Sequence, residues 1–266
     1  MILASAPVSG DALTALAALA YGVAAVVGGR GMPLVRGAKV VAWMLHGALL
    51  AWGLLGATPR FGFAAALSMT VWLVIAVYFV ERQFYPQLRI RWVMSALGAG
   101  VVVIAWLFPG NHLSSGASVW LPLHLSLGLG SYGLFGAAVA HALLMGRAES
   151  RMRHPTGAAP SMPLLTMERL TFRLVWAGFA LLSATLVLAV TLGESLYGPG
   201  SAFRWNHKTV FTVLSWLVFA ALLAGRARLG WRGRTATRML YAGSGLLFLA
   251  YAGSRFVLEV VLGRLS

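Results

Sequence analysis

Histidines are the residues of this sequence best suited to site chemistry. The chain contains six histidines, six acidic residues and no cysteine. The lack of cysteine excludes a disulfide, a thiolate metal site and a CxxC redox motif. A neutral imidazole is a common metal ligand, and two imidazoles can bind a haem iron from opposite sides. Which histidines lie close together depends on the elements that carry them.

Two histidines, His124 and His207, lie at the start of apolar stretches. His124 belongs to SVWLPLHLSLGLGSYGLF, and His207 directly precedes KTVFTVLSWLVFA. Gly128 and Ser131 follow His124 at i+4 and i+7, which predicts a groove of small residues with room for a flat ligand. The alternative is that these residues form a helix-packing seam and that His124 hydrogen-bonds a neighbouring helix.

The other histidines are weaker candidates. His46 lies near the middle of an apolar stretch, where burial requires a polar partner, so it is a candidate second ligand or relay. His141 lies roughly 25 Å further along the same helix than His124, so the two cannot share one iron. We interpret His141 as a helix-end histidine, and His112 and His154 as solvated residues of polar segments.

The residues around His207 extend the candidate site. Arg204 and Lys208 flank the start of the apolar stretch, and Asn206 is a suitable N-cap. Cations oppose the macrodipole at a helix N-terminus, so an anion is expected nearby. Haem propionates, a lipid phosphate and Glu194 are the alternatives for this anion.

The composition predicts that these residues are carried by membrane-spanning helices. Of the 266 residues, 59% are hydrophobic and 10% are charged, and the mean hydropathy is +0.81. Apolar runs long enough to cross a bilayer recur along the chain. We therefore predict an all-α, polytopic membrane protein, one domain over residues 1–266, with about eight transmembrane helices. The predicted spans are residues 11–28, 39–57, 62–80, 92–108, 119–145, 170–193, 209–225 and 238–262.

The distribution of basic residues predicts the orientation. The net charge is +15, and most of the 21 Arg and Lys residues fall in the loops after the first, third, fifth and seventh spans. The positive-inside rule places these loops, including the linker 146–169, in the cytoplasm and both termini outside. His124 and His207 then both lie at the outer face. The basic clusters are interpreted as contacts for anionic membrane lipids and not nucleic acid, because no stacking aromatics interleave them.

The second half of the sequence resembles a known family. The motifs HKT, GWRGR and YAGSRFVLE, together with SVWLPLHLSLGLGSYGLF, are similar to the cytochrome c assembly family, which includes CcsA, CcmC, HemX and YpjD proteins. The similarity is greatest to the eight-span YpjD- and HemX-like branch. It implies a multi-pass protein of the bacterial inner membrane that handles haem at the outer face. The implied partners are haem and other cytochrome c maturation proteins or apocytochrome c.

The resemblance also implies roles for particular residues. His124, which follows Trp120, matches the family's outer-face histidine. Trp205, Lys208 and Trp216 match positions in the tryptophan-rich haem-handling segment. The chain has WNHKT where CcsA-type proteins have WDPKE, and it lacks their late outer histidine. These departures favour an accessory haem-binding protein over a complete haem-attaching synthetase.

The resulting hypothesis is non-covalent binding of haem b near the outer face. His124 and His207 would be the axial iron ligands, and Arg204 and Lys208 would pair with the propionates. The sequence shows no nucleophile with an adjacent base, no paired carboxylates and no phosphate-cradling loop, so we do not expect hydrolysis or phosphoryl transfer.

Two alternatives without haem chemistry stay open. In the first, the protein is a transport-associated membrane subunit in which His46 and Glu259 line a polar path. In the second, it is a regulator of haem biosynthesis that acts on a soluble enzyme through its basic cytoplasmic loops.

Overall fold

The computed structural model describes residues 6–27, 33–55, 60–84, 92–112, 120–152, 163–197, 206–253 and 256. Within them, the long helices are α1 (Ala6–Val27), α2 (Pro33–Leu55), α3 (Phe63–Phe84), α4 (Val93–Leu107), α5 (Leu121–Met152), α6 (Leu164–Thr191), α8 (His207–Leu229) and α9 (Gly233–Phe248). A short helix, α7 (Gly193–Tyr197), follows α6, and a π-helical turn (Leu249–Gly253) continues α9. Two short strands, β1 (Arg60–Phe61) and β2 (Asn111–His112), pair antiparallel.

The prediction of a helical, polytopic membrane protein is confirmed. Among the described residues, five helical segments are long and apolar enough to cross a membrane: Gly37–Leu54, Phe63–Gln83, Leu123–Ser150, Leu164–Thr191 and His207–Leu229. Two shorter apolar segments, Gly10–Val26 and Val93–Leu107, accompany them. The total of eight spans and the outer position of the termini remain predictions.

The helices flanking the predicted linker 146–169 extend into it. Helix α5 continues to Met152, and α6 begins at Leu164. The segment GRAESRM at the end of α5 is polar but rich in good helix formers, so the helix continues beyond its apolar part. Hydropathy marks where a helix leaves the membrane, which need not be where it ends.

The chain forms two compact units. The first comprises Met1–Phe79, Arg89–Ser114 and Arg255–Ser266, and the second comprises Val80–Leu88 and Ser115–Ser254. The candidate ligands His124 and His207 belong to the second unit, and His46 belongs to the first.

In the first unit, α1 packs against α2 and α4, and a tryptophan pair joins α2 to α3. The rings of Trp43 and Trp72 stack with centroids 4.7 Å apart. Each indole N–H donates to the other residue's backbone carbonyl, at 3.1 and 2.9 Å. Because both N–H groups are satisfied in apolar surroundings, this pair fixes the register of α2 against α3 close to His46.

In the second unit, contacts along α5, α6 and α8 show that neighbouring helices run antiparallel. Close to the end of α6, Thr185 lies beside Gly128 of α5, and Ser183 accepts a hydrogen bond from the indole of Trp216 on α8 at 2.8 Å. At the beginning of α6, Glu168 contacts Arg226 near the end of α8. The first turns of α5 and α8 therefore lie at the same end of this unit.

The core between the helices of the second unit contains a stacked aromatic pair. Phe135 of α5 and Phe219 of α8 lie with ring centroids 3.8 Å apart and nearly parallel. Ser215, one turn before Phe219, donates to the carbonyl of Gly243 on α9 at 2.8 Å. Both residues are fully buried, so the apolar and polar contacts together fix α8 within the unit.

The motif GWRGR forms the turn between α8 and α9. Gly230 and Gly233 both have positive φ, 65° and 56°, which disfavours residues with a Cβ atom. The backbone N–H of Trp231 donates to the backbone carbonyl of Gly225 at 3.2 Å, and the Trp231 ring covers the Gly225 Cα. The motif thus encodes a tight helix–helix connection that depends on a glycine in the last turns of α8.

Substituting Gly225→Ala is expected to destabilise the second unit. A Cβ atom at this position would overlap the six-membered ring of Trp231, so the indole must move away from the helix. Such overpacking costs about 1–3 kcal/mol. The control is Gly245→Ala on α9, where an added Cβ meets no atom within 4 Å. Thermal unfolding in detergent would show a lower melting temperature for the first variant alone; equal melting temperatures would contradict the close packing of Trp231.

Candidate functional site

His124 lies in the first turn of α5, half-buried against α6. Its ring interacts with the backbone of Thr185 on α6, and its backbone N–H donates to the carbonyl of Trp120 at 3.0 Å. Trp120, just before the helix, is 48% exposed. A histidine anchored to a neighbouring helix beside an exposed indole is suited to hold a flat aromatic ligand from one side.

The predicted groove of small residues below His124 is filled by α6. A Cβ atom on Gly128 would lie 3.6 Å from the Thr185 methyl group, and one on Gly130 would lie 2.9 Å from a Leu181 methyl group. Ser131 is fully buried and donates to the Gly128 carbonyl. The expectation of room for a flat ligand along this face is therefore wrong, because these small residues are where α5 and α6 approach closely.

The structure places His207 as the first residue of α8, where its side chain is exposed. The Asn206 side chain accepts from the Thr209 N–H at 3.0 Å and from the Thr209 hydroxyl at 3.2 Å. The predicted N-cap is confirmed, and the motif HKT is in part a capping sequence. Glu194 is exposed and forms no ion pair with any described residue. Arg204 lies outside the described residues, so Glu194 remains one of the three alternatives for the anion.

His124 and His207 lie at one end of the second unit but at different heights. Contacts with α6 give the position of each histidine along the helix axes. His124 contacts Thr185. Trp216 contacts Ser183, and His207 lies two and a half turns before Trp216 in α8, toward the end of α6. At 1.5 Å per residue, the two backbones differ in height by about 10 Å. Arg204 and Trp205, which were predicted to join this site, lie outside the described residues.

His46 occupies a buried hydrogen-bonded chain in the first unit. Its side chain is fully buried, with Nδ1 3.2 Å from the Tyr21 hydroxyl on α1 and Nε2 2.8 Å from the Ser68 hydroxyl on α3. Gly98 of α4 leaves the space for the Tyr21 ring, since a Cβ there would approach it to 2.7 Å. Both ring nitrogens are engaged, so the arrangement suits the relay expected of His46 better than a metal ligand.

His141 forms a buried contact with a carboxylate that was not predicted from the sequence. The interpretation as a helix-end histidine is wrong: His141 is 4% exposed, and its Nε2 lies 2.6 Å from a carboxylate oxygen of Glu81, which is 8% exposed. A signal was present, because Glu81 is the one acidic residue of α3 and the predicted spans place it at the same depth as His141. Within the described residues, no three histidine or acidic side chains converge to hold a metal ion.

These features define a polytopic helical membrane protein with histidines at one end of one unit and buried polar pairs within its helices. Residues 36–262 match the family model described as "Cytochrome C assembly protein". The chain belongs to this family, as the sequence motifs indicated. It is a multi-pass inner membrane protein.

Three bacterial proteins illustrate the sequences to which the chain is similar. A protein encoded in the nifR3-like 5′ region of Azospirillum brasilense is 33% identical over 226 residues, which cover 80% of this chain and 82% of that protein. Inner membrane protein YpjD of Escherichia coli K12 is 28% identical over 163 residues, 60% of each chain. Cytochrome c biogenesis protein CcsA of Synechococcus elongatus is 27% identical over 186 residues, 63% of this chain and 56% of CcsA.

The aligned region thus covers less than two thirds of YpjD and of CcsA. No solved structure matches the chain.

Proposed function

We propose that this protein takes part in cytochrome c maturation by holding haem b non-covalently at the end of its second unit. The observation that carries the proposal is the placement of His124 and His207 at the same end of one antiparallel helix unit. Membership of the cytochrome c assembly family supports the ligand class. The name of its relative CcsA, a cytochrome c biogenesis protein, supports the process.

The residues present could bind haem at the surface of the second unit, and not between α5 and α6. His124 is held by its contact with Thr185, which restricts the orientation of its imidazole. His207 is exposed, so its ring can turn toward a ligand that approaches from outside. The exposed indole of Trp120 offers an apolar face beside His124. When bound, haem supplies the prosthetic group that cytochrome c maturation attaches to apocytochrome c.

In this proposal, the chain binds and orients its ligand and does not itself form a covalent bond. The imidazoles of His124 and His207 would hold the haem iron. Lys208, half-buried in the first turn of α8, and Arg204 pair with the propionates, which gives these cations the anion that a helix N-terminus favours. The haem-binding protein would work with other maturation proteins or apocytochrome c at the outer face of the membrane.

The test is the haem content and visible spectrum of the purified protein. The wild type, expressed with haem supplied and extracted in mild detergent, should carry haem with a sharp low-spin spectrum after dithionite reduction. The double variant His124→Ala/His207→Ala should lose it, whereas the control His154→Ala should retain it. A haem-free wild type, or a double variant that binds as much haem as the wild type, would refute the proposal.

Buried polar groups favour a second candidate, a transport-associated subunit. Buried ionisable residues of transporters usually occur in matched sets. His46 with Tyr21 and Ser68, and His141 with Glu81, are matched sets of this kind. Glu259, the other residue of the predicted polar path, lies outside the described residues. A wild type that folds without haem would make this candidate the better account.

A further inference from the structure

The end of the second unit opposite to His124 contains a cleft that is lined mainly by cations. Its walls are Arg169, Phe172, Arg173 and Trp176 of α6 and Arg226 of α8, and its volume is about 360 Å³. Arginine presents a planar fork of N–H donors that matches phosphate oxygens. We propose that this cleft binds the phosphate of an anionic phospholipid headgroup.

One arginine of the cleft is held in place by the protein itself. The Arg226 guanidinium donates to a Glu168 carboxylate oxygen at 2.6 Å and lies 3.6 Å from the centre of the Phe172 ring. The ion pair and the cation–π contact fix the guanidinium plane at the wall. Its remaining N–H groups are thereby pre-oriented for another acceptor.

The other two arginines are not neutralised by any acidic residue that the structure describes. Arg169 and Arg173 are exposed and lie at i and i+4 on α6, so their side chains are neighbours of like charge. Neither has an acidic partner among the described residues. Glu168 neutralises one of the three guanidinium groups, which leaves two positive charges for one bound anion.

The position of the cleft along α6 matches the headgroup layer. Helix α6 has 28 residues, about 42 Å, whereas the hydrocarbon core is about 30 Å thick. Its charged residues, Glu168, Arg169 and Arg173, all lie in the first three turns, so the excess length lies at this end. Trp176, one turn deeper, is 58% exposed, as interfacial tryptophans are.

This placement distinguishes a lipid from a soluble phosphate. A lipid phosphate bound between Arg169, Arg173 and Arg226 would have its acyl chains beside Trp176 and the apolar surface of α6. A free phosphate ion would gain nothing from that surface. Since each Arg near an anionic surface contributes about 1 kcal/mol, removal of two is expected to weaken binding about 10- to 30-fold.

The experiment measures lipid binding to the full-length protein in detergent by native mass spectrometry, with phosphatidylglycerol and phosphatidylcholine as probes. The wild type should bind phosphatidylglycerol more tightly than phosphatidylcholine. The variant Arg169→Gln/Arg173→Gln should bind phosphatidylglycerol about 10- to 30-fold more weakly than the wild type does. The matched control is Arg234→Gln/Arg238→Gln, which removes two exposed charges at the same spacing from α9 outside the cleft.

Three results would overturn the proposal. The first is unchanged phosphatidylglycerol binding in the cleft variant, provided that its melting temperature matches that of the wild type. The second is an equal loss in the control variant, which would reflect net charge alone. The third is displacement of phosphatidylglycerol by millimolar inorganic phosphate, which would show that the cleft takes a soluble phosphate instead of a lipid.

Discussion

His207→Ala is expected to convert the haem of the proposed complex from a low-spin to a high-spin form while most of the haem stays bound. His207 is exposed at the first residue of α8, so its removal deletes one proposed iron ligand without disturbing the core. The Asn206 cap does not use the His207 side chain and should persist. Visible spectra of oxidised and reduced protein measure the change, and added imidazole should restore the low-spin form.

His124→Ala is expected to have the larger effect on retention. His124 is anchored on α6 through Thr185, so it is the better oriented of the two proposed ligands. A coordinate bond worth more than 1.4 kcal/mol contributes more than about ten-fold in affinity, and haem content should fall accordingly. Identical low-spin spectra in both single variants and the wild type would mean that other residues ligate the iron.

The parts of the fold that could be predicted from sequence depend on local information. Each of the eight predicted spans overlaps one long helix, because an uninterrupted apolar stretch has few alternatives to a helix in lipid. The Asn206 cap was predictable for the same reason, since a cap involves residues within one turn. The extension of α5 to Met152 was missed, because a polar helix outside the membrane leaves no hydropathy signal.

The partners of buried side chains could not be predicted, because they depend on which helices pack and at what register. The stacking of Trp43 on Trp72 requires the relative height of α2 and α3, which a single sequence does not contain. The prediction of a groove below His124 was wrong for a related reason. Gly128 shows that something approaches α5 closely, but whether that is a ligand or α6 is decided by the tertiary contacts.

Removing the carboxylate of the buried pair should strongly destabilise the second unit. Glu81→Leu leaves His141 with a buried, polar Nε2 that has lost its 2.6 Å partner. Leaving a buried polar group without its partner costs about 1–3 kcal/mol, since the group stays desolvated without compensation. Thermal unfolding in detergent measures this loss of stability. The control is Glu194→Leu, which removes an exposed carboxylate that forms no ion pair with a described residue.

The double variant Glu81→Leu/His141→Leu decides whether the pair exists for stability or for another role. Two apolar side chains of similar size often replace a buried ion pair at little or no cost. The double variant should therefore recover most of the stability lost in Glu81→Leu, because neither residue leaves a polar group unsatisfied. If it is as stable as the wild type but fails in cytochrome c maturation, the pair is retained for function, such as proton transfer. A double variant less stable than either single variant would contradict the contact itself, because the two losses would then be independent.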